Sequence, residues 1–160
     1  MNISISVRDA SLSDLDTIVD FNRRLAGESE GKSLDRRILT EGVQRGLETP
    51  ELCRYFVAEA NGRVVATTML TYEFTDWRCG VLWWLQSVFV DPDYRRRGVF
   101  RAMYRHIETL ARSTQRVRGL RLYVKHDNTK AQGTYAALGM IPSGYDVYEC
   151  DWSGAVADAE

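Results

Sequence analysis

Three consecutive arginines followed by a glycine, Arg95–Arg97 and Gly98, form the stretch whose residue types best suit anion binding. The apolar run Val88–Val90 precedes them and predicts the end of a strand, and a helical pattern starts at Gly98. The first backbone N–H groups of a helix have no intrahelical partner, and arginine offers forked donors that match phosphate oxygens. Because glycine lacks a Cβ atom, a ligand can approach its backbone closely. This arrangement predicts a diphosphate site, with a solvated basic turn as the alternative.

The arginine loop matches neither of two widespread phosphate-binding patterns, because the chain contains no Walker-type GxxxxGK sequence and no GxGxxG. Its sequence RRRGVF resembles the pyrophosphate-binding signature of the GNAT N-acetyltransferase superfamily, which reads Gln or Arg, two residues, Gly, one residue, then Gly or Ala. Arg95 fills the first position and Gly98 the fourth, whereas Phe100 departs from the small residue expected at the sixth. Contact at Phe100 would therefore use its backbone N–H. The resemblance implies that the pyrophosphate of acetyl-CoA is bound by Arg95, Arg96, Arg97, Gly98, Val99, Phe100 and Arg101.

A second segment, Asn128–Met140, resembles the superfamily pattern N-x-x-A-x-x-x-Y-x-x-x-G followed by Phe or Met, and it fills all five positions. The resemblance implies that Asn128, Ala131 and Tyr135 contact the cofactor. It also implies that the Tyr135 hydroxyl protonates the departing CoA thiolate. Tyrosine and thiol pKa values are about 10 and about 8.5 in model peptides, so this proton transfer is chemically reasonable. The alternatives are that Tyr135 is an amphipathic core residue and that Asn128 caps its helix.

The implied reaction also needs a base, because an amine is protonated near neutral pH and must lose a proton before it attacks a thioester. The candidates are Glu73 and water held by Gln86. If residues 76–79 form a simple hairpin turn, Glu73 lies opposite Leu82 and shares a face with Trp84 and Gln86. An exposed strand-end carboxylate is the alternative for Glu73, and a register slip of one residue would move it to the other face.

The acceptor-binding residues are also predicted from the resemblance, since the region between the first two helices helps to form the acceptor pocket in this superfamily. Glu28 lies in that region, where an acidic side chain suits a cationic amine, and a solvated loop residue is the alternative. Trp84 and Gln86 are the other candidates. The expected acceptor is a small-molecule or peptide amine, and its identity stays open.

Hydrophobic periodicity predicts the elements that must position these residues. The predicted strands cover residues 3–7, 54–60, 63–74, 80–90, 119–125 and 145–152. The predicted helices run from a cap at Ser11 or Ser13 to Ala26, from Leu34 to Thr49, from Gly98 onwards, and from Asn128 to Leu138. The order β-α-α-β-β-β-α-β-α-β indicates an α/β fold with a mixed, mostly antiparallel sheet and helices on both faces.

The GNAT superfamily has this order of elements. The resemblance implies that the fourth and fifth predicted strands splay apart and that the pantetheine chain of the cofactor enters the gap. It further implies that backbone groups on the fourth strand bind the pantetheine amides, and these groups belong to Val88, Phe89 and Val90.

Length and composition predict one globular domain at residues 1–152, followed by a frayed tail at 153–160, in a chain of 160 residues with 27% charged residues. The formal net charge of −1 argues against a broad nucleic-acid-binding face. Cys53, Cys79 and Cys150 show no metal-binding spacing, so we expect reduced thiols and no metal. The absence of a signal peptide and of a long apolar run predicts a cytoplasmic protein without membrane contact.

The sequence therefore predicts an acetyl-CoA-dependent N-acetyltransferase that moves an acetyl group directly to a primary amine. One alternative is a non-catalytic acyl-CoA-binding domain of the same fold. The other is a nucleic-acid-binding module that uses Arg95–Arg97, which the near-neutral net charge disfavours. A homodimer is also compatible with the resemblance, because dimers are common in the superfamily.

Overall fold

The computed structural model describes residues 3–154 and 156–158. Its strands are β1 (Ile5–Asp9), β2 (Lys32–Leu34), β3 (Arg54–Ala60), β4 (Arg63–Thr75), β5 (Gly80–Val90), β6 (Val117–Arg121) and β7 (Val156–Asp158). Its α-helices are α1 (Leu15–Leu25), α2 (Arg36–Glu48), α3 (Val99–Ser113) and α4 (Thr129–Ala137). A π-helical turn, Ala26–Glu30, extends α1 towards β2.

The main sheet has the strand order β1-β3-β4-β5-β6. The pairs from β1 to β5 are antiparallel, and β6 lies parallel to β5 because α3 connects them by a crossover. A second sheet of two antiparallel strands joins β2 to β7. The predicted mixed, mostly antiparallel α/β fold is confirmed. The short strand β2 was not predicted, so the numbering shifts by one. The fourth and fifth predicted strands therefore correspond to β5 and β6.

Helices cover both faces of the main sheet because alternate residues of each central strand point to opposite sides. On one face α1 and α2 bury Ile18 and Val43 against Tyr55 and Val57 of β3. On the other face α3 buries its apolar stripe against Phe56 and the neighbouring strands. Full burial of each such side chain contributes about 1.5–3 kcal/mol. The two faces of the sheet are therefore covered by different helices.

The parallel pairing of β5 with β6 covers only the first part of β5. It begins at Val81 opposite Val117 and ends at Trp84 opposite Arg121. From Leu85 onwards the ladder stops, although β5 continues to Val90 beside β4. The predicted separation of these two strands is therefore confirmed, and it leaves an opening along the second half of β5.

One predicted element near the end of the chain is corrected. The predicted last strand, Tyr145 to Trp152, is wrong, because this stretch has no regular secondary structure and pairs with no strand in the part of the chain that the structure describes. The strand that does form is β7, which lies within the predicted tail and pairs with β2. Alternating apolar residues indicated a strand at 145–152, but they do not specify a pairing partner.

Candidate functional site

The arginine loop is held in place by contacts that start at the end of β5. Asp91 caps a short 3-10 turn, Pro92–Tyr94, by accepting a hydrogen bond from the Asp93 backbone N–H at 3.1 Å. Pro92 at the first position suits this turn, because its fixed φ is pre-organised and its missing N–H needs no partner. The Arg95 side chain then donates from Nε to the Val90 carbonyl oxygen at 2.8 Å. The loop is thus fixed to the strand that it follows.

Gly98 stands directly before the first residue of α3 with a φ of +83°. L-residues seldom adopt this left-handed conformation, which explains the glycine. A Cβ atom built on Gly98 would meet no atom within 4 Å, so the space in front of the backbone is open. The first-turn N–H groups of α3 receive no side-chain cap from Gly98. They can therefore donate to an anion that enters this space.

Two ion pairs link the end of α1 and the π-helical turn after it to the segment from Asp91 to Arg95. Arg95 contacts the predicted acceptor residue Glu28 at 2.6 Å, and Arg24 contacts Asp91 at 3.2 Å. Both guanidinium groups also lie over the ring of Phe89, at 4.9 Å for Arg24 and 5.6 Å for Arg95. Glu28 therefore lies in the π-helical turn between α1 and β2, and its side chain contacts the arginine loop through Arg95.

A β-bulge distorts β5 beside the opening. Thr67 pairs with Phe89 and Met69 pairs with Gln86, so Thr68 alone lies opposite both Ser87 and Val88. Ser87 has a φ of +51°, and the Thr68 hydroxyl donates to the Gln86 carbonyl oxygen at 3.0 Å. A bulge of this kind re-aims the strand and leaves an extra residue out of the ladder. The backbone of the predicted residues Val88–Val90 thus borders the opening where β6 has diverged.

The second predicted motif forms α4, which lies against the start of α3. Asn128 caps α4 by accepting a hydrogen bond from the Ala131 N–H at 3.1 Å. The Tyr135 ring meets the Phe100 ring edge-on, with centroids 5.7 Å apart. Burial raises the pKa of the Tyr135 hydroxyl above its usual value. The two motifs, which are separated by 27 residues in sequence, are therefore in direct contact through Phe100 and Tyr135.

Glu73, the predicted base, lies opposite Leu82 as predicted, and this places it on the sheet face that carries α1 and α2. Its Oε2 atom accepts two hydrogen bonds, one from the Trp84 indole at 2.8 Å and one from Arg121 at 2.9 Å. Arg121 is the last residue of β6 that pairs with β5. Glu73 and Trp84 therefore meet where the opening begins.

Gln86, two residues further along the same face, is also held by neighbours. Its Nε2 donates to the Thr71 hydroxyl at 2.6 Å, and its Oε1 accepts from the Tyr123 hydroxyl at 3.3 Å. The Tyr123 ring lies 5.9 Å from the Trp84 ring. Glu73, Trp84 and Gln86 are thus brought together, as the predicted register required.

Sequence reasoning missed Arg121 and Tyr123, which complete this group. Alternation along the predicted strand at residues 119–125 placed both on one face, but it did not show which strand would lie opposite them, and the strand that forms, β6, ends at Arg121. To place them, one needs the register of β6 against β5. A long crossover connection does not fix that register, whereas a short hairpin turn does.

A shallow concavity of about 340 Å³ lies between α3 and α4. Arg101 lines it from α3, and Lys130 and Thr134 line it from α4. The predicted residue Arg101 therefore contributes a cation to a surface that continues from the first turn of α3. Of the other predicted loop residues, Arg96 has a φ of +61° and Arg97 holds its guanidinium over the Tyr94 ring. The Val99 side chain is buried in the core, so only its backbone is placed to meet a ligand.

The described residues show neither a metal-binding cluster nor a membrane-spanning helix. Residues 3–154 and 156–158 contain no group of three or more His, Cys, Asp or Glu side chains arranged to hold a metal ion. Among the helices of the same residues, none has the length and apolar character needed to cross a membrane.

Comparison with known proteins identifies the fold and the family. The family model for the acetyltransferase (GNAT) family matches residues 16–140. A "possible acetyltransferase" from Clostridium difficile 630 is 42% identical, with a TM-score of 0.85 over 92% of this chain and 97% of that one. No similar sequence was found among the curated proteins.

Two further solved structures share the fold at lower identity. The aminoglycoside N-acetyltransferase AAC(6')-Iy in complex with CoA is 15% identical, with a TM-score of 0.77 over 95% of this chain and 97% of that one. A predicted acetyltransferase with acetyl-CoA from Clostridium acetobutylicum is 17% identical, with a TM-score of 0.73 over 92% and 96%. From the family match, which covers both predicted motifs, and the shared fold, this chain belongs to the GNAT acetyltransferase family.

Proposed function

We propose that this protein transfers an acetyl group from acetyl-CoA directly to a primary amine. The observation that carries the proposal is the separation of β5 from β6 directly before the arginine loop and the open backbone at Gly98. A cleft in a sheet that ends at an uncapped helix N-terminus suits a long ligand with a diphosphate group. The family match supports acyl transfer as the reaction class.

The residues around α3 fit the anionic part of acetyl-CoA. The first-turn N–H groups of α3 and the side chains of Arg96 and Arg97 would bind the diphosphate, since backbone donors and guanidinium groups both favour phosphate oxygens. Arg95 would act mainly by shaping the loop, because its side chain is already bound to Val90 and Glu28. Arg101 and Lys130 add positive charge along the concavity between α3 and α4.

The cleft residues fit the rest of the cofactor. The backbone of Val88, Phe89 and Val90 would bind the pantetheine amides, and N–H groups there would stabilise the negative charge that develops on the carbonyl oxygen. Asn128 and Ala131 would border the same chain from α4. When bound, acetyl-CoA supplies an acetyl group that is activated as a thioester.

Tyr135 is proposed as the general acid. Burial raises the pKa of its hydroxyl, so the proton stays on the oxygen throughout the neutral range. A thiol has a lower pKa of about 8.5 in water. A CoA thiolate that develops beside Tyr135 would still accept the tyrosine proton, because a poorly solvated thiolate is a stronger base than one in water. Tyr135 thus keeps a proton in place until the leaving group requires it.

Glu73 and Gln86 are proposed to handle the acceptor amine. Gln86 cannot act as a base, but its amide can orient the amine or a water molecule. Glu73 would accept the proton of the amine, either directly or through that water. Holding the amine beside the thioester supplies most of the rate enhancement in this scheme, because proximity replaces a bimolecular encounter. Glu28 and Trp84 are proposed to line the acceptor side of the cleft.

One observation favours a second candidate, the non-catalytic acyl-CoA-binding domain. The Oε2 atom of Glu73 already accepts hydrogen bonds from Trp84 and Arg121, so these neighbours compete with an acceptor amine for the carboxylate. The two candidates predict the same cofactor binding and differ only in turnover.

The experiment that separates them is an assay of CoA thiol release from acetyl-CoA with a panel of primary amines, from polyamines and aminoglycosides to peptides. We expect turnover with at least one amine, and we expect Tyr135→Phe to lower kcat by about a hundredfold or more. Tyr72→Phe is the matched control, because the Tyr72 hydroxyl bonds only the Pro50 carbonyl oxygen among the described hydrogen bonds. Cofactor binding without turnover for any amine would favour the binding domain.

A further inference from the structure

The closed end of the opening between β5 and β6 carries one acidic and one basic side chain in direct contact. Arg121 donates from Nη1 to the Glu73 Oε2 atom at 2.9 Å, and the two side chains are still 29% and 42% exposed. Trp84, the ladder partner of Arg121, donates to the same oxygen. The proposed reaction gives a role to Glu73 but none to Arg121, although the two groups touch.

Both members of this ion pair have hydrogen-bonding atoms that no described residue uses. The Glu73 Oε1 atom accepts no hydrogen bond from the described residues, and Arg121 donates to them from Nη1 alone. A guanidinium group presents its N–H donors as a planar fork, which matches both oxygens of a carboxylate. A ligand ammonium group can therefore donate to Glu73, while a ligand carboxylate accepts from the rest of the Arg121 fork.

The charges around the opening are balanced, which disfavours an acceptor with several positive charges. Three carboxylates reach residues beside the opening, and each is paired with a cation. These pairs are Glu28 with Arg95 at 2.6 Å, Glu30 with Lys125 at 3.9 Å and Glu73 with Arg121 at 2.9 Å. A polyamine would find no carboxylate of this set without a competing cation, whereas a ligand with one charge of each sign keeps the balance.

Aromatic rings lie beside the ion pair. The Arg121 guanidinium is 5.9 Å from the centre of the Trp84 ring, and the Tyr123 ring is also 5.9 Å from that ring. The Tyr123 hydroxyl donates to Gln86 across the opening at 3.3 Å, yet Tyr123 is 60% exposed. An exposed ring that is held in place offers an apolar surface on which the side chain of a ligand can pack.

We propose that the acceptor is an α-amino acid with a large apolar or aromatic side chain, whose carboxylate is bound by Arg121 and whose amine is held by Glu73 and Gln86. The proposal rests on the proposed function and names its substrate class. Because Glu73 and Arg121 touch, the ammonium and carboxylate groups that they bind must also be close together. They are close in an α-amino acid, where one carbon atom separates them, and far apart in a peptide.

The reaction would yield an N-acetyl amino acid and CoA. A bond forms between the amine nitrogen and the acetyl carbon, and the bond from that carbon to the CoA sulfur breaks. The ammonium group loses two protons in all. One leaves through Glu73, and the other restores Tyr135 after its hydroxyl has protonated the CoA thiolate. The carboxylate on Arg121 takes no part in the bond changes, so Arg121 is a specificity residue.

The test compares each amino acid with its amide, which has the same shape but no carboxylate. The acceptors are phenylalanine and leucine, with phenylalaninamide and leucinamide as their partners. We expect kcat/KM to be higher for the amino acid than for its amide by about tenfold or more, because only the amino acid satisfies the Arg121 fork. In Arg121→Met this ratio should fall to about one, and Arg121→Lys should keep part of it.

The ratio separates specificity from structural damage, since a distorted site would lower kcat/KM for the acid and the amide alike. Arg37→Met is the matched control. Arg37 also donates from Nη1 to a glutamate, Glu41, at 3.1 Å, but it lies on α2 and borders no part of the opening. This control should keep the native ratio of amino acid to amide.

Calorimetric titration of the CoA-saturated protein with phenylalanine distinguishes failure of this proposal from failure of the proposed reaction. Binding that Arg121→Met abolishes, without turnover of any amine, would contradict the reaction and still support the amino acid site. Turnover of the amides as efficient as that of the amino acids would overturn the amino acid site and leave the reaction intact. An unchanged ratio in Arg121→Met, or neither binding nor turnover of phenylalanine and leucine, would also overturn it.

Discussion

Glu73 and Arg121 form an ion pair of 2.9 Å that reaches from β4 across β5 to β6. Arg121 belongs to the last residue pair before β5 and β6 separate, and Trp84, its partner in that pair, donates to the same carboxylate. The cleft therefore begins at a point where side chains from three strands are joined. The arrangement fixes the cleft's closed end and leaves the other end, at the arginine loop, open.

This ion pair should contribute modestly to stability, because its side chains are 29% and 42% exposed. We predict a coupling energy of about 0.5–1 kcal/mol from a double-mutant cycle of Glu73→Gln and Arg121→Met, measured by urea unfolding. The pair Arg37 and Glu41 on α2 is a matched control with higher exposure, and its coupling should be smaller. A coupling energy near zero for Glu73 and Arg121 would show that they do not join the strands.

Two glycines of α2 should respond to alanine in opposite directions. A Cβ atom on Gly42 would meet nothing within 4 Å, so Gly42→Ala should stabilise the protein by about 0.5–1 kcal/mol through helix propensity. A Cβ atom on Gly46 would lie 2.7 Å from the Cys53 sulfur and 2.9 Å from the Tyr55 ring. Gly46→Ala should therefore destabilise by about 1–3 kcal/mol. Thermal or urea unfolding checks both, and equal effects at the two sites would contradict the close packing of α2 on β3.

Stability should fall at alkaline pH partly because of Tyr55. Burial raises the pKa of this tyrosine to about 12, from an ordinary value of about 10. A neutral acid whose folded-state pKa is raised contributes stability that is fully present below about pH 10 and is lost as the pH rises towards 12. The free energy of unfolding should fall between pH 9 and pH 11 in both proteins. The fall should be smaller in Tyr55→Phe than in the native protein, with a difference on the order of 1 kcal/mol.

The control for this prediction is Tyr145→Phe, since Tyr145 is exposed and lies in a different part of the molecule. Its loss of stability between the same two pH values should equal that of the native protein. An identical pH dependence in Tyr55→Phe and the native protein would show that the Tyr55 hydroxyl ionises as freely after folding as before.

The parts of the fold that were predictable are those whose signal is local. The hairpin register that sets Glu73 opposite Leu82 follows from a short turn, and the helix cap at Asn128 follows from its side chain. The loop from Arg95 to Gly98 was predictable because the end of a strand, three arginines and a glycine follow one another along the chain. These features depend on residues that are near each other along the chain.

The parts that were not predictable depend on distant pairings. The contact of Arg121 with Glu73 requires the parallel register of β6, and the contact of Arg95 with Glu28 spans 67 residues. The predicted last strand is wrong for the same reason, because the alternation from Tyr145 to Trp152 specifies no partner strand, and this stretch pairs with none among the described residues. Sequence patterns therefore predicted the register across a short turn but not the contacts between residues that lie far apart along the chain.

The most direct test of the central claim is a calorimetric titration of the native protein with acetyl-CoA, compared with Gly98→Glu. Gly98 has a φ of +83° and Gly62, in the β3–β4 turn, has a φ of +74°, and a Cβ atom on either would meet no atom within 4 Å. Gly62→Glu is therefore a matched control that carries the same backbone strain and the same added charge.

We predict saturable binding to the native protein and to Gly62→Glu, and a loss of at least a hundredfold in affinity for Gly98→Glu. A side chain and a negative charge at Gly98 would occupy the space from which the diphosphate reaches the first turn of α3. No binding to the folded native protein, or equal binding to both glutamate variants, would contradict the proposed cofactor site.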